Sequence, residues 1–151
     1  VERATGDVLS KMDDDDYYAP RYLADLLDAM TYANADIVGK QAHYMRVEAQ
    51  DATLLRFPHR EHRYTDFVMG PTITGRKEVF HQIPFQRRST GEDTSFLAAA
   101  RQAGFTIYSA DRFNFVQFRG AHGHTWQVSD AAALASGTVA LFGDNRAHVT
   151  V

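Results

Sequence analysis

Cysteine is missing from this sequence altogether, which excludes disulfide bridges and thiolate metal sites and fits a reducing compartment. Charge of either sign is not in large excess: the formal net charge is −3, so nothing points to nucleic acid as a partner. No apolar run approaches the about 20 residues needed to cross a bilayer, and no secretory leader is visible. With only four prolines there is no proline-rich linker, and neither repeats nor low-complexity segments occur. What is present is ordinary for a folded domain. Apolar residues make up 44% and charged residues 23%, and 151 residues suffice for one sizeable core. The chain begins at Val1 and "VERATGDVL" reads like mid-protein sequence, so an excised piece of a longer chain is expected.

Hydrophobic spacing organises the rest. "GDVLSKM" (6–12) predicts a short strand running into the acidic stretch "DDDD". Tyr22, Leu23, Leu26, Leu27 and Met30 recur at helical spacing, and Pro20 suits a first turn, so a helix is expected over 20–33. Strands are expected in 35–48, interrupted at Gly39, and in "ATLLRF", "FTIYSA" and "FNFVQFR". "PHREHRY" (58–64) reads as a polar loop, and "FVMGPTITGRKEVF" (67–80) mixes strand residues with turn signals. "GEDTSFLAAARQAG" (91–104) predicts a second helix ended by Gly104. In the tail, "TVALF" and "AHVTV" flank "GDNR", a hairpin signal. Strands and helices alternate throughout, which makes the class α/β.

The run Asp13–Asp16 is the strongest chemical signal. A solvated acidic turn before a helix is the plain explanation, since acids favour a helix N-terminus. A calcium loop of the EF-hand type fails, because Tyr17 and Tyr18 stand where an acid and a glycine belong. A divalent-cation site survives: carboxylates at i and i+2 at a strand end converge on one hard cation such as Mg²⁺ or Mn²⁺.

"GDVLSKMDDDDYYAP" resembles the metal-binding segment of family 2 glycosyltransferases with the GT-A fold: an apolar strand, Asp-x-Asp-Asp, and a proline shortly after. "IPFQRRSTGEDTSFLAAARQAGFTIY" resembles their second signature, a Glu-Asp pair opening a helix. "FVQFRGAHGHTW" is similar to a late strand in bacterial members, followed by a histidine before Thr-Trp. The three stretches cover most of residues 5–127.

The resemblance implies a partial GT-A-like mixed sheet flanked by helices, with the N-terminal nucleotide-binding half largely missing. Residues 1–127 would be the C-terminal part of that domain, and 128–151 a tail with a β-hairpin candidate. It also implies inverting, metal-dependent transfer of a sugar from a nucleotide diphosphate sugar, a UDP-sugar first among donors, to a hydroxyl of a glycan or other acceptor. Bacterial polysaccharide or cell-envelope synthesis and a cytoplasmic location belong to the same expectation.

In residue terms, Asp15 would bind the ion directly, Asp13 the donor's ribose or the ion's water shell, and Asp16 the donor side. Asp93 would be the general base, with Glu92 orienting or polarising it. His124, and more weakly His122, would complete the metal site. Plain readings stand beside these. Thr90-x-x-Asp93 fits a helix cap, the histidines can be solvated loop residues, and Trp126 can be core. Gln86-Arg87-Arg88 is a weak candidate to face the diphosphate.

Two further classes remain open: a non-catalytic metal- or phosphate-binding module, and a structural or self-associating domain. Convergence of Asp15, Asp93 and His124 on one cleft would favour the enzyme. Strands apolar on both faces, with a covering half missing, predict self-association and no useful sugar transfer by the isolated chain.

Overall fold

The computed structural model describes residues 3–85, 91–119, 130–143 and 146–151. Its elements, in chain order, are β1 (Val8–Ser10), β2 (Tyr17–Tyr18), α1 (Tyr22–Ala33), β3 (Ile37–Gly39), β4 (His43–Val47), β5 (Ala52–Arg56), β6 (Arg63–Tyr64), β7 (Thr74–Arg76) and α2 (Lys77–Gln82). They continue with α3 (Glu92–Gln102), β8 (Ile107–Ser109), β9 (Phe115–Arg119), α4 (Asp130–Ala135), β10 (Thr138–Phe142) and α5 (Arg146–Val149). Two mixed five-stranded sheets result, in the orders β1-β7-β3-β8-β6 and β10-β5-β4-β9-β2. Each contains one parallel pair, β3 with β8 and β4 with β9.

The central strands of the first sheet, β3 and β8, are buried on both faces. Val38 and Tyr108 pack with Tyr22, Leu26, Ala29 and Met30 of α1. Their neighbours Ile37 and Ile107 pack with Phe96, Leu97 and Ala100 of α3 and with Val79 and Phe80 of α2. Successive strand residues point to opposite faces, so α1 and α3 lie on opposite sides of the sheet. Burial on both faces explains why these short strands read as continuous apolar runs rather than alternating ones.

Helix α1 ends at Asn34, whose left-handed backbone (φ 48°) lets its N–H reach the carbonyls of Met30 and Thr31. The helix forms where its spacing predicts, but its buried stripe is Tyr22, Leu26, Ala29, Met30 and Ala33; Leu23 and Leu27 are exposed. Small Ala29 and Ala33 let the helix approach the sheet, which rotates the larger leucines outward.

Gly39 is where the first sheet hands over to the second. A Cβ there would stand 2.7 Å from Val68 and 2.9 Å from the Thr72 hydroxyl, so only glycine lets the 68–72 loop close in. The loop is then bound on both sides of Lys40: the Lys40 N–H donates to Thr72 Oγ1 (2.9 Å) and the Met69 N–H to the Lys40 carbonyl (2.9 Å). Lys40 itself is wholly buried, its ammonium donating to the carbonyl and carboxylate of Asp111, both at 3.0 Å. Burial pushes its pKa down, against the opposing pull of Asp111.

The tail corrects one expectation. "TVALF" forms β10, but it pairs antiparallel with β5, from Thr138 opposite Leu55 to Phe142 opposite Ala52, and not with "AHVTV". Residues 146–149 turn into α5, which buries Val149 against Tyr44 and Val116. The open edge of β5 and the burial of Val149 outweigh the local turn signal, so no hairpin forms. A second departure lies at 67–80, where a 3-10 turn over Gly70–Thr72 and the short helix α2 stand beside the single short strand β7.

Candidate active site

The acidic run sits where β1 leaves the first sheet. Strand pairing with β7 continues one step past Ser10, through the Lys11 N–H to the Ile73 carbonyl at 2.8 Å. The chain then turns into β2, which pairs with β9 of the second sheet. The turn is held by side chains. The Asp13 N–H donates to the Tyr18 hydroxyl (2.9 Å), and that hydroxyl donates to the Pro71 carbonyl (2.9 Å). The Phe118 N–H of β9 donates to Asp16 Oδ1 at 2.8 Å. The turn is therefore pinned near both its ends, with Asp13 and Asp16 half-buried, rather than displayed as a loose loop.

Asp13, Asp15 and Asp16 bring carboxylate oxygens within 4.8 Å of one another, while Asp14 stands outside the group; Asp14 and Asp15 are both exposed, and Asp13 and Asp16 are half-buried. Such an oxygen set suits a hard divalent cation. The electrostatics agree. Burial pushes the Asp16 carboxyl up to about 7; the Phe118 N–H opposes this, and the charges of Asp15 and Asp13 add to it. A cation in the cluster would offset that mutual repulsion.

Asp93 opens α3 and comes to the same place from the far side of the sequence. Its Oδ2 accepts from the Lys11 ammonium at 3.1 Å, across 82 residues, and the same ammonium lies 3.5 Å from Asp13 Oδ1. Burial of Lys11 lowers its pKa, but the hydrogen bond and charge of Asp93, then Asp13 and Glu92, outweigh it, and the net shift is upward. Asp93 Oδ1 is buried and has no hydrogen-bond partner among the described residues. Gly70 lies directly against the carboxylate, and a Cβ there would fall 2.0 Å from Asp93 Oδ2. Glu92 shares the first turn of α3 behind Gly91, whose positive φ of 75° starts the helix without a side-chain cap.

Asp13, Asp15, Asp16 and Asp93, chosen from sequence, are thus gathered by one lysine and two sheets. His122, His124, Trp126, Thr90 and the Gln86-Arg87-Arg88 stretch lie outside the described residues. Strand β9 ends at Arg119, one residue beyond the Phe118 N–H that holds Asp16. The basic loop is solvent-facing, with His59, Arg60, His62 and Arg63 exposed. Arg76, Lys77 and Glu78 line an open cleft of about 290 Å³ with Asp7 and His81. Sequence reasoning missed Lys11, Gly70 and Tyr18. Lys11 left a faint signal, since it stands two residues before Asp13 in an extended segment and so shares its side. Gly70 showed only as a turn residue.

Residues 1–90 match the family model described as glycosyl transferase family 2. No curated protein matches the sequence. Among solved structures, the chain is similar to S. aureus TarS 1–349 in complex with UDP-GlcNAc, with 16% identity and a TM-score of 0.62. The match covers 82% of this chain and 38% of that one. The likeness shows the GT-A-like fold and, since the chain spans well under half of TarS 1–349, only part of it. No helix among the described residues is long and apolar enough to cross a membrane.

Proposed function

The chain belongs to glycosyl transferase family 2, and from that premise we propose that it is the metal- and acceptor-side part of an inverting, metal-dependent catalytic domain, with residues 1–127 forming that part. The donor is a nucleotide diphosphate sugar, a UDP-sugar in first place, in keeping with the UDP-GlcNAc held by the structurally similar TarS. The acceptor is a hydroxyl of a glycan or similar molecule, and the compartment is the cytoplasm.

Asp15 holds the ion, with Asp13 and Asp16 beside it and His124 or His122 completing the set; Mn²⁺ and Mg²⁺ both suit these donors. When bound, the ion supplies charge neutralisation for the departing diphosphate. Asp13 contacts the donor's ribose or the water around the ion. On the opposite face of the anomeric carbon, the Asp93 carboxylate takes the proton of the acceptor hydroxyl. The acceptor oxygen bonds to that carbon as the bond to the diphosphate oxygen breaks, and the configuration inverts. Glu92 orients the base. Taken alone, the chain, whose match spans 38% of TarS 1–349, transfers no sugar at a useful rate.

The observation that carries this reading is the single ammonium of Lys11 lying between Asp13 at 3.5 Å and Asp93 at 3.1 Å. A helix-capping acid has no need to point at an acidic turn 80 residues away, and two carboxylates brought close by one ammonium suit donor activation and acceptor deprotonation at one site. The test is Asp93→Asn in the active enzyme that includes this chain. The amide keeps size and shape but cannot accept the proton, so turnover should fall by about 10²–10⁴ with donor and metal binding nearly intact. Turnover at the wild-type rate would move the base elsewhere, to Glu92 first.

A further inference from the structure

The carboxylate of Asp93 has two oxygens in unlike surroundings. Oδ2 accepts from Lys11 Nζ at 3.1 Å and is pressed against the α-carbon of Gly70. Oδ1 is buried and has no hydrogen-bond partner among the described residues. A short side chain at the first turn of a helix has two torsions, and Gly70 blocks one direction while Lys11 holds the other. Little freedom remains, so the direction of the whole carboxylate is set by Lys11 and Gly70 together. Lys11 is itself anchored: its N–H is bonded to the Ile73 carbonyl at 2.8 Å, and Asp13 Oδ1 lies 3.5 Å from its ammonium. The backbone that carries the ammonium is thus tied to the segment that runs from Gly70 into β7.

We propose that Lys11 is the positioning residue for the Asp93 base, clamping Oδ2 and so fixing the direction of the carboxylate relative to the acceptor hydroxyl, and that it ties this alignment to the donor side through Asp13. The inference rests on the reading of Asp93 as the general base. Lys11 exchanges no proton in the step. It fixes the direction of the carboxylate that receives the acceptor's proton, and through Asp13 it sets the base relative to the acids that hold the donor. Without it the carboxylate keeps its chemistry but loses its aim, and a base out of place by an ångström is a large loss.

The test compares Lys11→Met, Lys11→Arg, Asp93→Asn and the Lys11→Met/Asp93→Asn double variant in the active enzyme, with a melting curve for each. Lys11→Met should lower kcat by about 10²-fold while leaving the KM for donor nearly unchanged. Lys11→Arg, which keeps the cation, should recover a large part of that loss. In the double variant the loss of Lys11 should add nothing to the loss from Asp93→Asn, because an aim without a base is worthless. If the two losses multiply, or if arginine rescues nothing in a folded protein, the role is general packing and the inference fails. A rise in donor KM at unchanged kcat would place Lys11 on the donor side and also overturn it. Should the methionine variant not fold, Lys11→Gln takes its place with the same expected outcomes. The two readings fail separately. Wild-type turnover in Asp93→Asn sinks the base assignment, whereas loss in Asp93→Asn with none in the Lys11 variants sinks only the positioning role.

Discussion

Replacing Gly70 by alanine separates the geometry of the base from the stability of the fold. The new Cβ would stand 2.0 Å from Asp93 Oδ2, 2.7 Å from its Cγ and 3.4 Å from its Cβ, so two of the three contacts are too close to exist. One side must move. The loop is held by several bonds: Met69 N–H to the Lys40 carbonyl, Thr72 N–H to the Met69 carbonyl, and Tyr18 hydroxyl to the Pro71 carbonyl, each at 2.9 Å. The carboxylate is held chiefly by Lys11, so it is the carboxylate that yields.

Overpacking of this kind costs about 1–3 kcal/mol, and the smaller entropy of the unfolded alanine chain returns about 0.4–1 kcal/mol. A net loss of about 1–2 kcal/mol should lower Tm by about 2–8 °C in a domain this size. A protein with at least about 5 kcal/mol of stability stays almost entirely folded after that loss, so unfolding cannot account for a change in rate. Displacement of the base by an ångström or more should nevertheless lower turnover by about 10²-fold. Scanning calorimetry and steady-state kinetics on the active enzyme read the two effects separately. Gly6→Ala is the control, since its Cβ would meet only the Val8 carbonyl at 3.6 Å. Wild-type kcat in a folded Gly70→Ala enzyme would refute the placement of Asp93 in the reaction.

Three further outcomes follow from the same geometry. Mn²⁺ titrated into the chain should bind weakly at the Asp13–Asp15–Asp16 cluster, because diphosphate oxygens supply part of the shell in the full complex, and Asp15→Ala should abolish the signal; an unchanged signal would remove Asp15 as a ligand. The Asp16 carboxyl, raised from 3.8 to about 7, binds its proton more tightly in the folded state, so its stabilising contribution is full below pH 3.8 and is lost as pH rises through about 7. Without divalent cation, Asp16→Asn should therefore melt higher than wild type at pH 8, and equal melting temperatures there would show that burial and the neighbouring charges do not disfavour the carboxylate. Light scattering at micromolar concentration should find the chain self-associated, through an edge such as β10, where Val139 and Phe142 are exposed, or through an uncovered face; a monomer would exclude this.

Much of the molecule was legible in the sequence because its causes are local. The spacing of apolar residues in α1 and α3, the break at Gly39 and the four consecutive acids act within a few residues of themselves, and the elements stand where those signals lie. Asp13, Asp15, Asp16 and Asp93 could be chosen before any fold was known because their motifs resemble those of family 2 glycosyltransferases; the acidic run alone pointed only to a cation site, and Asp93 alone to a helix cap. What the sequence could not decide depends on segments that meet only after folding. Which stripe of α1 faces the sheet was settled by Ala29 and Ala33, against the larger Leu23 and Leu27. The tail strand found β5 some eighty residues upstream in preference to its own neighbour. Lys11 reached Asp93 across 82 residues, and Gly70 left the space that its carboxylate occupies. The raised Asp16 carboxyl arises from burial and from charges gathered by a turn. Spacing along a chain determines periodicity and composition, but burial, close approach and electrostatic coupling are properties of distances through space, and only the packed structure sets those.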